Sequence, residues 1–415
     1  MNKIKKKIAI VGLGNIGCYL YNFLQINKRL LSKKNNCTPE VIFVSAKNKN
    51  KKRNKKINKK EWVKNYLDVT TAPEVDIVVE LIGGAEGAAK KLVFNALRNK
   101  KHVVTANKAL IAKYGDQLSK IAEENKVNLE FEAAVCGGVP IIRSLKEGLI
   151  ANKISKVYGI FNGTSNYILS TMDAKNKTFV EALESAKKKG YAESNPSSDL
   201  NGSDVAAKLK ILSSLCFNSF IDHTIHVEGI NFIDKLDIDN ANNLGYKIKL
   251  LGVSELINNK VYQRVHPTLI KKSSYIAGID GVQNAVIIDG KPVGQNIIQG
   301  EGAGPEATTS ALVSDISSIL RGNIKFPFSI SKKERRFLHY KKISDRSFSA
   351  YLRFEVMDKP GILSNITNIF SINNVSIKRL IQNPNKLKKL ASIIVITHNS
   401  KDKSLNNIIK QTQKK

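Results

Sequence analysis

The sequence predicts an α/β protein in three parts: a domain built on a parallel sheet, an α+β domain, and a short C-terminal module of βαβ type. Three observations favour this architecture. The chain has 415 residues, which is too long for one ordinary core. Short β-branched segments alternate with helical segments over residues 4–108. A separate group of strand and helix patterns begins near residue 348.

The first domain is predicted to span residues 1–139. It opens with the strand KIAIVGLG and a helix to about Lys28, followed by strands at VIFVSA, DIVVELIGG and HVVTANK with helical segments among them. Parallel strands need crossover connections of this kind, so the segment is expected to be Rossmann-type. A further helix and the strand NLEFEAAV precede CGGVP, whose glycines and proline interrupt the pattern at the domain boundary.

Residues 140–299 are predicted to form the α+β domain, with an open sheet. Strands are expected at KVYGIFNG, KVYQRVHPTLI and NAVIIDG, and helices around residues 167–172, 178–189 and 205–215. The segment GEGAGPEATTSALVSD contains a glycine-rich turn and a helix that begins near Glu306. Residues 300–325 are expected to return to the first domain, and 326–347 form a basic linker to the last module, 348–415.

Composition narrows the class of protein. The formal net charge is +32, which can indicate binding to nucleic acid or anionic lipid. The lysines spread along the whole chain, however, so a solvated basic surface is favoured over a functional patch, and neither a nucleic-acid nor a membrane partner is expected. No uncharged apolar run approaches the roughly 20 residues of a membrane span. Four cysteines without a CxxC pair suit a reducing cytoplasm.

A glycine-rich turn follows the first strand and opens a helix: Gly12, Leu13, Gly14, Asn15, Ile16 and Gly17. In this context the first glycine permits a tight turn, the second admits a pyrophosphate, and the third allows close helix packing. Backbone N–H groups at the helix start then bind the phosphates. The turn therefore predicts a nicotinamide dinucleotide cofactor, and a purely structural strand-to-helix turn is the alternative.

The second strand ends at Ser45 without the carboxylate that binds the 2′-hydroxyl of NAD. Lysines and Arg53 follow within the basic cluster Lys47–Lys60. Positive charge suits a 2′-phosphate, which favours NADPH, with NADH as the other candidate. The same lysines are also accounted for by the general basic composition.

The segment from Ala186 to Lys208 contains the strongest chemical signal. Glu193, Asp199 and Asp204 fall within sixteen positions of one another and of Lys208, in a loop rich in Gly, Asn, Pro and Ser before a helix. Asp204 and Lys208 are four residues apart and share a helix face. Such spacing usually marks an ion pair on the protein surface. Here the preceding loop brings two further carboxylates towards the pair, which favours a catalytic or binding site instead.

This segment resembles the signature of the homoserine dehydrogenase family, AxxxGYAExxPxxDxxGxDxxxK, at every specified position. The resemblance implies interconversion of L-aspartate 4-semialdehyde and L-homoserine in the biosynthesis of threonine, methionine and isoleucine. It implies that Lys208 is the catalytic lysine and that Glu193 binds substrate, with Asp199 and Asp204 as supporting carboxylates. The chemistry agrees, because hydride reduction of an aldehyde needs a positioned proton donor, and the substrate's ammonium suits Glu193 and Asp204.

Other segments are similar to the same family. The resemblance implies that Lys108 is a second active-site lysine near the nicotinamide. Without the resemblance, Lys108 is equally well interpreted as a surface lysine at the start of a helix. The resemblance also implies that the segment GTSNYIL, which begins at Gly163 and Thr164, forms a turn on the substrate side of the site. It also implies further cofactor contacts at Gly83, Thr105, Lys108 and Gly302.

The segment FEAAVCGGVPII resembles the family's monovalent cation site, where a carboxylate and backbone carbonyls bind sodium. The matching positions are Glu132, Val135, Gly137 and Val139. A simple strand-to-turn hinge is the competing interpretation. A cysteine nucleophile at Cys136 is not favoured, because no histidine base is indicated near it.

The C-terminal segment YLRFEVMDKPGILSNITNIFSINNVSIKRLIQ resembles the first half of an ACT module, a type that binds amino acids at paired interfaces. A third strand and a second helix follow, and the last strand of the module is expected to be missing, which puts threonine feedback in doubt. The resemblance implies a homodimer through the middle domain, or a homotetramer if the ACT modules also associate. A non-catalytic amino-acid sensor or nucleic-acid-binding protein is the rival class.

Overall fold

A computed structural model describes residues 4–53, 57–342, 344, 346–385 and 390–413. The chain divides into two compact units, Met1–Leu338 and His339–Lys415. Among the described residues, no helix combines the length and apolar character needed to cross a bilayer.

The first unit begins with a five-stranded parallel sheet in the order β2-β1-β3-β4-β5. Its strands are β1 (Lys5–Val11), β2 (Thr38–Ser45), β3 (Ile77–Glu80), β4 (His102–Thr105) and β5 (Leu129–Glu130). Its helices are α1 (Asn15–Ile26), α2 (Lys28–Asn35), α3 (Asp68–Thr71), α4 (Ala88–Arg98) and α5 (Lys108–Glu124). Every residue of β3 is buried, as expected for a parallel strand covered on both faces. The predicted Rossmann-type sheet is confirmed.

Strand β5 is shorter than the sequence predicts. NLEFEAAV was expected to be extended throughout, but β5 ends at Glu130 and Glu132–Ala134 form a 3-10 turn. The Glu132 carboxylate accepts hydrogen bonds from the backbone N–H groups of Ile142 (2.8 Å) and Arg143 (2.7 Å). These two bonds join the turn to the start of the next helix, so the chain leaves the sheet early.

The middle of the chain forms a mixed sheet with helices on one face. Its helices are α6 (Ile141–Arg143), α7 (Gly163–Lys175), α8 (Phe179–Lys188), α9 (Ser197–Leu200), α10 (Ser203–Cys216) and α11 (Lys235–Asn243). Its strands are β6 (Lys153–Ile160), β7 (His226–Val227), β8 (Tyr246–Ile257), β9 (Lys260–Lys271), β10 (Gln283–Lys291) and β11 (Gly294–Glu301). The order is β11-β10-β6-β8-β9, with antiparallel neighbours, and β7 pairs with β9.

Strands β6, β9 and β10 are predicted from the sequence, whereas β8 and β11 are not. In β8, lysines at 247 and 249 obscure the apolar pattern. Lys249 is nevertheless buried, because its ammonium donates to the Ile279 carbonyl (2.6 Å) and the Asp280 carboxylate (2.7 Å). A charged residue can occupy a buried strand position when it is paired in this way.

Helix α12 (Pro305–Leu320) follows β11 and packs beside the parallel sheet. Its Leu312 and Ile316 share a buried cluster with Ile8 and Ile10 of β1. The glycine-rich turn at residues 302–304 therefore connects the mixed sheet to a helix of the nucleotide-binding part.

The second unit contains a three-stranded antiparallel sheet in the order β14-β16-β15. The strands of this unit are β12 (His339–Tyr340), β13 (Ser347–Phe348), β14 (Tyr351–Met357), β15 (Ile377–Asn385), β16 (Leu390–Thr397) and β17 (Ser400–Lys401), and its helices are α13 (Ile362–Ile372) and α14 (Asp402–Thr412). Strand β13 pairs with β17, apart from the three-stranded sheet. Phe370 and Ile408 of the helices pack with Val395 of the central strand. The predicted βαβ core is confirmed.

Candidate active site

The glycine-rich turn has the geometry of a phosphate-binding turn. Gly12 has φ +112° and donates its N–H to the Ser45 carbonyl (2.9 Å). A Cβ on Gly12 would lie 2.4 Å from the Leu81 backbone, and one on Gly17 would lie 2.0 Å from the Gly12 carbonyl oxygen. Among the described residues, no atom beyond its neighbours in the chain lies within 4 Å of a Cβ built on Gly14. Packing therefore requires the outer glycines, whereas the middle one leaves open space at the start of α1.

The basic loop after β2 contacts this turn through Arg53. Its Nε donates to the Leu13 carbonyl (3.2 Å), and its terminal nitrogens donate to backbone carbonyls of the loop itself, including that of Asn48 (2.7 Å). The guanidinium also lies over the Trp62 ring, 5.2 Å from the ring centroid. Arg53 thus fixes the loop beside the glycine-rich turn. Residues 54–56 of the cluster lie outside the described ranges.

The ends of β3 and β4 meet in a buried hydrogen-bond network. The Glu80 carboxylate, which is fully buried, accepts the Thr105 hydroxyl (2.5 Å) and the Gly83 N–H (3.0 Å). The Asn107 side chain donates to the Gly84 carbonyl (2.7 Å) and caps α5. The network brings the predicted residues Gly83 and Thr105 together, immediately before Lys108. Glu80 and Asn107 were not predicted as site residues, although a carboxylate at the end of a buried strand is a recognisable signal.

Two lysines from distant parts of the chain share the carboxylate of Asp204. Lys208 Nζ lies 2.8 Å from Asp204 Oδ2 on α10, and Lys108 Nζ of α5 lies 3.0 Å from Asp204 Oδ1. Lys208 also donates to the Phe161 carbonyl (2.7 Å). Since an ammonium has three N–H donors, one donor of Lys208 has no acceptor in the described part of the chain. Asp204 and Lys208 are both buried.

Burial and charge act in opposite directions on this cluster. Burial disfavours the Lys208 ammonium, but the charges of Asp204 and Asp199 outweigh it and hold its pKa above the usual value. Burial likewise opposes ionisation of Asp204, but Lys208 and Lys108 outweigh it and hold the pKa of that carboxyl well below its usual range. Burial and then the charge of Asp204 raise the pKa of Asp199. At neutral pH, Lys208 is therefore a protonated donor beside an ionised carboxylate.

Asn162 connects the predicted carboxylates with helix α7. Its Nδ2 donates to Asp199 Oδ1 (2.7 Å) and to Asp204 Oδ2 (2.9 Å). The next residue, Gly163, is required by close packing, because a Cβ there would lie 2.7 Å from the Val282 carbonyl oxygen. Asn162 was not predicted as a site residue, because asparagine is a usual residue at an ordinary helix N-cap.

The predicted substrate residues Thr164 and Glu193 differ in how far the protein engages their side chains. Thr164 begins α7 and donates its hydroxyl to the Tyr191 carbonyl (2.7 Å), which joins the helix to the loop of the signature. Glu193 in that loop is exposed and forms no hydrogen bond or ion pair with the described residues. Its carboxylate is available to a ligand, whereas Asp199 and Asp204 are engaged with the protein.

The residues of the predicted cation site lie between β5 and α6: Glu132, Val135, Gly137 and Val139. Burial raises the pKa of Glu132 to about 7, despite the two backbone N–H groups that it accepts. Within the described ranges, no three His, Cys, Asp or Glu side chains are grouped to hold a metal ion. Backbone carbonyls would therefore have to supply most ligands there.

Gly302 packs against the CGGVP hinge. A Cβ on Gly302 would lie 2.3 Å from the Asn284 side chain, and one on Gly137 would lie 2.6 Å from the Gly302 carbonyl oxygen. Gly302 is buried, whereas Gly304 in the same turn is exposed. The neighbouring Cys136 is fully buried, and burial raises the pKa of its thiol to about 11, which is unsuited to a nucleophile.

Comparison with known proteins assigns the chain to a family. The model of the homoserine dehydrogenase NAD-binding domain matches residues 12–132, and the homoserine dehydrogenase model matches residues 140–317. The chain belongs to the homoserine dehydrogenase family. A model of the ACT domain also matches residues 350–415.

Relatives and solved structures agree with this family. The chain is 37% identical to the homoserine dehydrogenase of Neisseria gonorrhoeae over 97% of this chain and 94% of that protein. It is 37% identical to the Pseudomonas aeruginosa homoserine dehydrogenase with the same coverage. The crystal structure of a homoserine dehydrogenase from Thiobacillus denitrificans is similar with a TM-score of 0.90, 36% identity, and coverage of 99% of this chain and 95% of that one.

Family membership confirms two predictions: the enzyme class, NAD(P)-dependent oxidoreductase, and the nucleotide-binding, mixed-sheet and ACT architecture. The roles of individual site residues stay predictions.

Proposed function

We propose that this chain reduces L-aspartate 4-semialdehyde to L-homoserine with a nicotinamide cofactor, and catalyses the reverse reaction. One observation carries the proposal: Asp204 holds Lys208 of the mixed-sheet part and Lys108 of the nucleotide-binding part at 2.8 and 3.0 Å. This shared carboxylate supports a role for Lys208 as a protonated donor beside the proposed nicotinamide end of the cofactor site. Family membership supports the same reaction.

Lys208 is the proposed proton donor. When bound, the reduced nicotinamide supplies a hydride to the aldehyde carbon. Negative charge then develops on the aldehyde oxygen, and the unengaged N–H of Lys208 donates a proton to it, which completes the alcohol. Asp204 keeps the ammonium oriented, and Lys108 supplies a second positive charge near the reacting oxygen.

The polar ends of the substrate fit two other parts of the site. The exposed Glu193 suits the α-ammonium, and Asp199 and Asp204 are the further carboxylates proposed to support it. The first-turn N–H groups of α7, at Gly163 and Thr164, are suited to the α-carboxylate because they lie at a helix N-terminus.

We propose NADPH as the preferred cofactor, with NADH as the alternative. The open space at Gly14 and the N–H groups at the start of α1 suit the pyrophosphate. The guanidinium of Arg53, which is held beside Leu13 by a hydrogen bond, carries a positive charge that suits a 2′-phosphate. Gly83, Thr105 and Gly302 complete the proposed cofactor contacts.

A sodium ion fits the CGGVP hinge in part. The Val135 and Gly137 carbonyls accept no hydrogen bond from the described residues, and each Glu132 oxygen retains a lone pair after accepting one N–H. The Val139 carbonyl, in contrast, already accepts a hydrogen bond from the Ile141 N–H (2.7 Å). A bound cation would keep the Glu132 carboxylate ionised, because positive charge favours the charged form.

We also propose a homodimer formed through the mixed sheet, or a homotetramer if the ACT units associate as well, in a reducing cytoplasm. Exposed apolar side chains at Tyr275, Val293 and Ile297 lie at or beside the outer strand β11 of this sheet and support such an interface. All four cysteines are free thiols.

The purified chain tests the proposal directly. With L-aspartate 4-semialdehyde, it should consume NADPH under reducing conditions, and a smaller kcat/KM is expected with NADH. Repeating the assay with sodium replaced by a large organic cation tests the ion, and light scattering gives the oligomeric state. Absence of turnover with both cofactors, in protein of native circular dichroism, would refute the proposed reaction. Binding of a nucleic-acid duplex that persists at physiological salt in such an inactive protein would favour the rival class, a non-catalytic amino-acid sensor or nucleic-acid-binding protein.

A further inference from the structure

Asn162 occupies a buried position where three functional elements meet. It follows strand β6, is only 4% exposed, and comes directly before α7. Its Nδ2 group lies 2.7 Å from Asp199 Oδ1 and 2.9 Å from Asp204 Oδ2. Its Oδ1 accepts the backbone N–H of Ser165 at 2.8 Å. One side chain thus contacts α9, α10 and the start of α7.

The chemistry of the partners fixes the orientation of this amide. The Ser165 N–H can only donate, so the amide oxygen must face the helix. Asp204 is ionised and can only accept, so the amide nitrogen must face the carboxylates. Both N–H donors of Asn162 are therefore used by two different carboxylates, and its single carbonyl caps α7.

The two carboxylates would otherwise repel each other. Asp199 and Asp204 lie close enough for the charge of Asp204 to raise the pKa of Asp199. An amide donor placed between them offsets this repulsion and sets their separation. Asp204 Oδ2 accepts from Lys208 Nζ as well as from Asn162, so a change at the amide is transmitted to the lysine.

We propose that Asn162 is a positioning residue of the reaction: its amide holds Asp199 and Asp204 in place, and through Asp204 it orients Lys208 and Lys108. This inference rests on the proposed function. Its competitor is a purely structural role, in which Asn162 does nothing more than cap α7.

Substitutions at this position separate the two roles. Asn162→Ser keeps a side-chain oxygen that caps a helix well but loses the two amide N–H donors. Asn162→Asp also keeps the cap, and it adds a third carboxylate beside Asp199 and Asp204. If Asn162 positions the carboxylates, both variants should lose about 10- to 100-fold in kcat, the scale of losing one or two hydrogen bonds to charged groups. The KM for NADPH should change by no more than about twofold.

The pH profile gives a second readout that a cap alone would not change. The charged groups facing Asp199 are Asp204 and Lys208 of α10 and Lys108 of α5. Without the amide donor, the ionised form of Asp199 is less stabilised, and its pKa, which burial and the charge of Asp204 already raise, rises further. The acid limb of kcat/KM should therefore move to higher pH in Asn162→Ser.

Thr178→Ala is the matched control, because Thr178 caps α8 by a capping box that is exposed and outside the site. It should lower the melting temperature and leave kcat unchanged. Wild-type kcat and pH profile in Asn162→Ser would overturn the inference and leave only the cap. If that variant fails to fold, wild-type activity of Asn162→Asp would overturn it equally. An inactive wild-type chain refutes the proposed function instead, so the two failures are distinguishable.

Discussion

Removing the Lys208 ammonium is the sharpest test of the proposed chemistry. Lys208→Ala deletes the proposed proton donor and one of the three partners of the Asp204 carboxylate. Loss of a general acid typically lowers turnover by about 100- to 10,000-fold, so we expect kcat to fall at least about 100-fold. Cofactor binding should be preserved, because the glycine-rich turn lies on a different element.

The effect on stability should be much smaller than the effect on turnover. Asp204 keeps Lys108 at 3.0 Å and Asn162 at 2.9 Å after the substitution, so it is not left without partners. Loss of one hydrogen bond between charged groups costs about 1–3 kcal/mol, and removing a buried ammonium offsets part of that cost. A folded but inactive variant is therefore expected.

Two further variants of α10 make the assay specific. Lys208→Arg retains a positive charge but is a poor proton donor, because a guanidinium stays protonated in proteins, so turnover should stay low. Lys210→Ala removes a lysine from the same helix whose Nζ pairs with the exposed Asp222 (2.8 Å), and both turnover and stability should change little. Turnover within a few-fold of wild type in Lys208→Ala, or equal losses in Lys208→Ala and Lys210→Ala, would refute the reasoning.

Three other predictions follow from the cofactor site and the mixed sheet. Gly14→Ala should fold normally yet weaken NADPH binding by about tenfold in a fluorescence titration, because its Cβ would clash with none of the described residues but would occupy the phosphate space. Gly12→Ala, whose Cβ would lie 2.4 Å from Leu81, should instead lower the melting temperature. Arg53→Ala should raise the KM for NADPH about tenfold more than that for NADH, and equal changes would contradict a 2′-phosphate contact. Burial lowers the pKa of His266 to about 3, so as pH falls below about 6.5 the unfolded chain binds a proton before the folded chain does, and the folded state loses stability. By about pH 5 this histidine should lower the free energy of unfolding by about 2 kcal/mol. His266→Gln should remove that contribution, as measured by urea titrations at both pH values.

The sequence predicts the parts of the site that are local in the chain. The glycine-rich turn and the segment from Ala186 to Lys208 each carry their chemistry within a few tens of residues, so pattern and spacing suffice to find them. The pairing of Lys108 with Asp204 is different, because it depends on how α5 and α10 pack. Asn162 was missed for the same reason, since two of its three contacts are with residues far along the chain.

The fold shows a similar division. Strands with a clear apolar pattern, such as β6 and β10, were predicted. Strand β8 was not, because its Lys249 reads as exposed in sequence while the folded chain pairs it with Asp280. Likewise, NLEFEAAV has a strand pattern, but the backbone bonds accepted by Glu132 end the strand early. In both places a tertiary polar contact overrides local preference.

The charges of the site are placed where local rules alone would not put them. Lys108 is the first residue of α5, where the helix dipole disfavours a positive charge, and Lys208 is a buried ammonium. Asp204 lies in the first turn of α10, where the dipole favours a negative charge, and it offsets both lysines at once. Locally unfavourable residues of this kind are expected at functional sites. Because a single carboxylate compensates two lysines from different parts of the chain, the full set of contacts around the proposed proton donor forms only when those parts pack together.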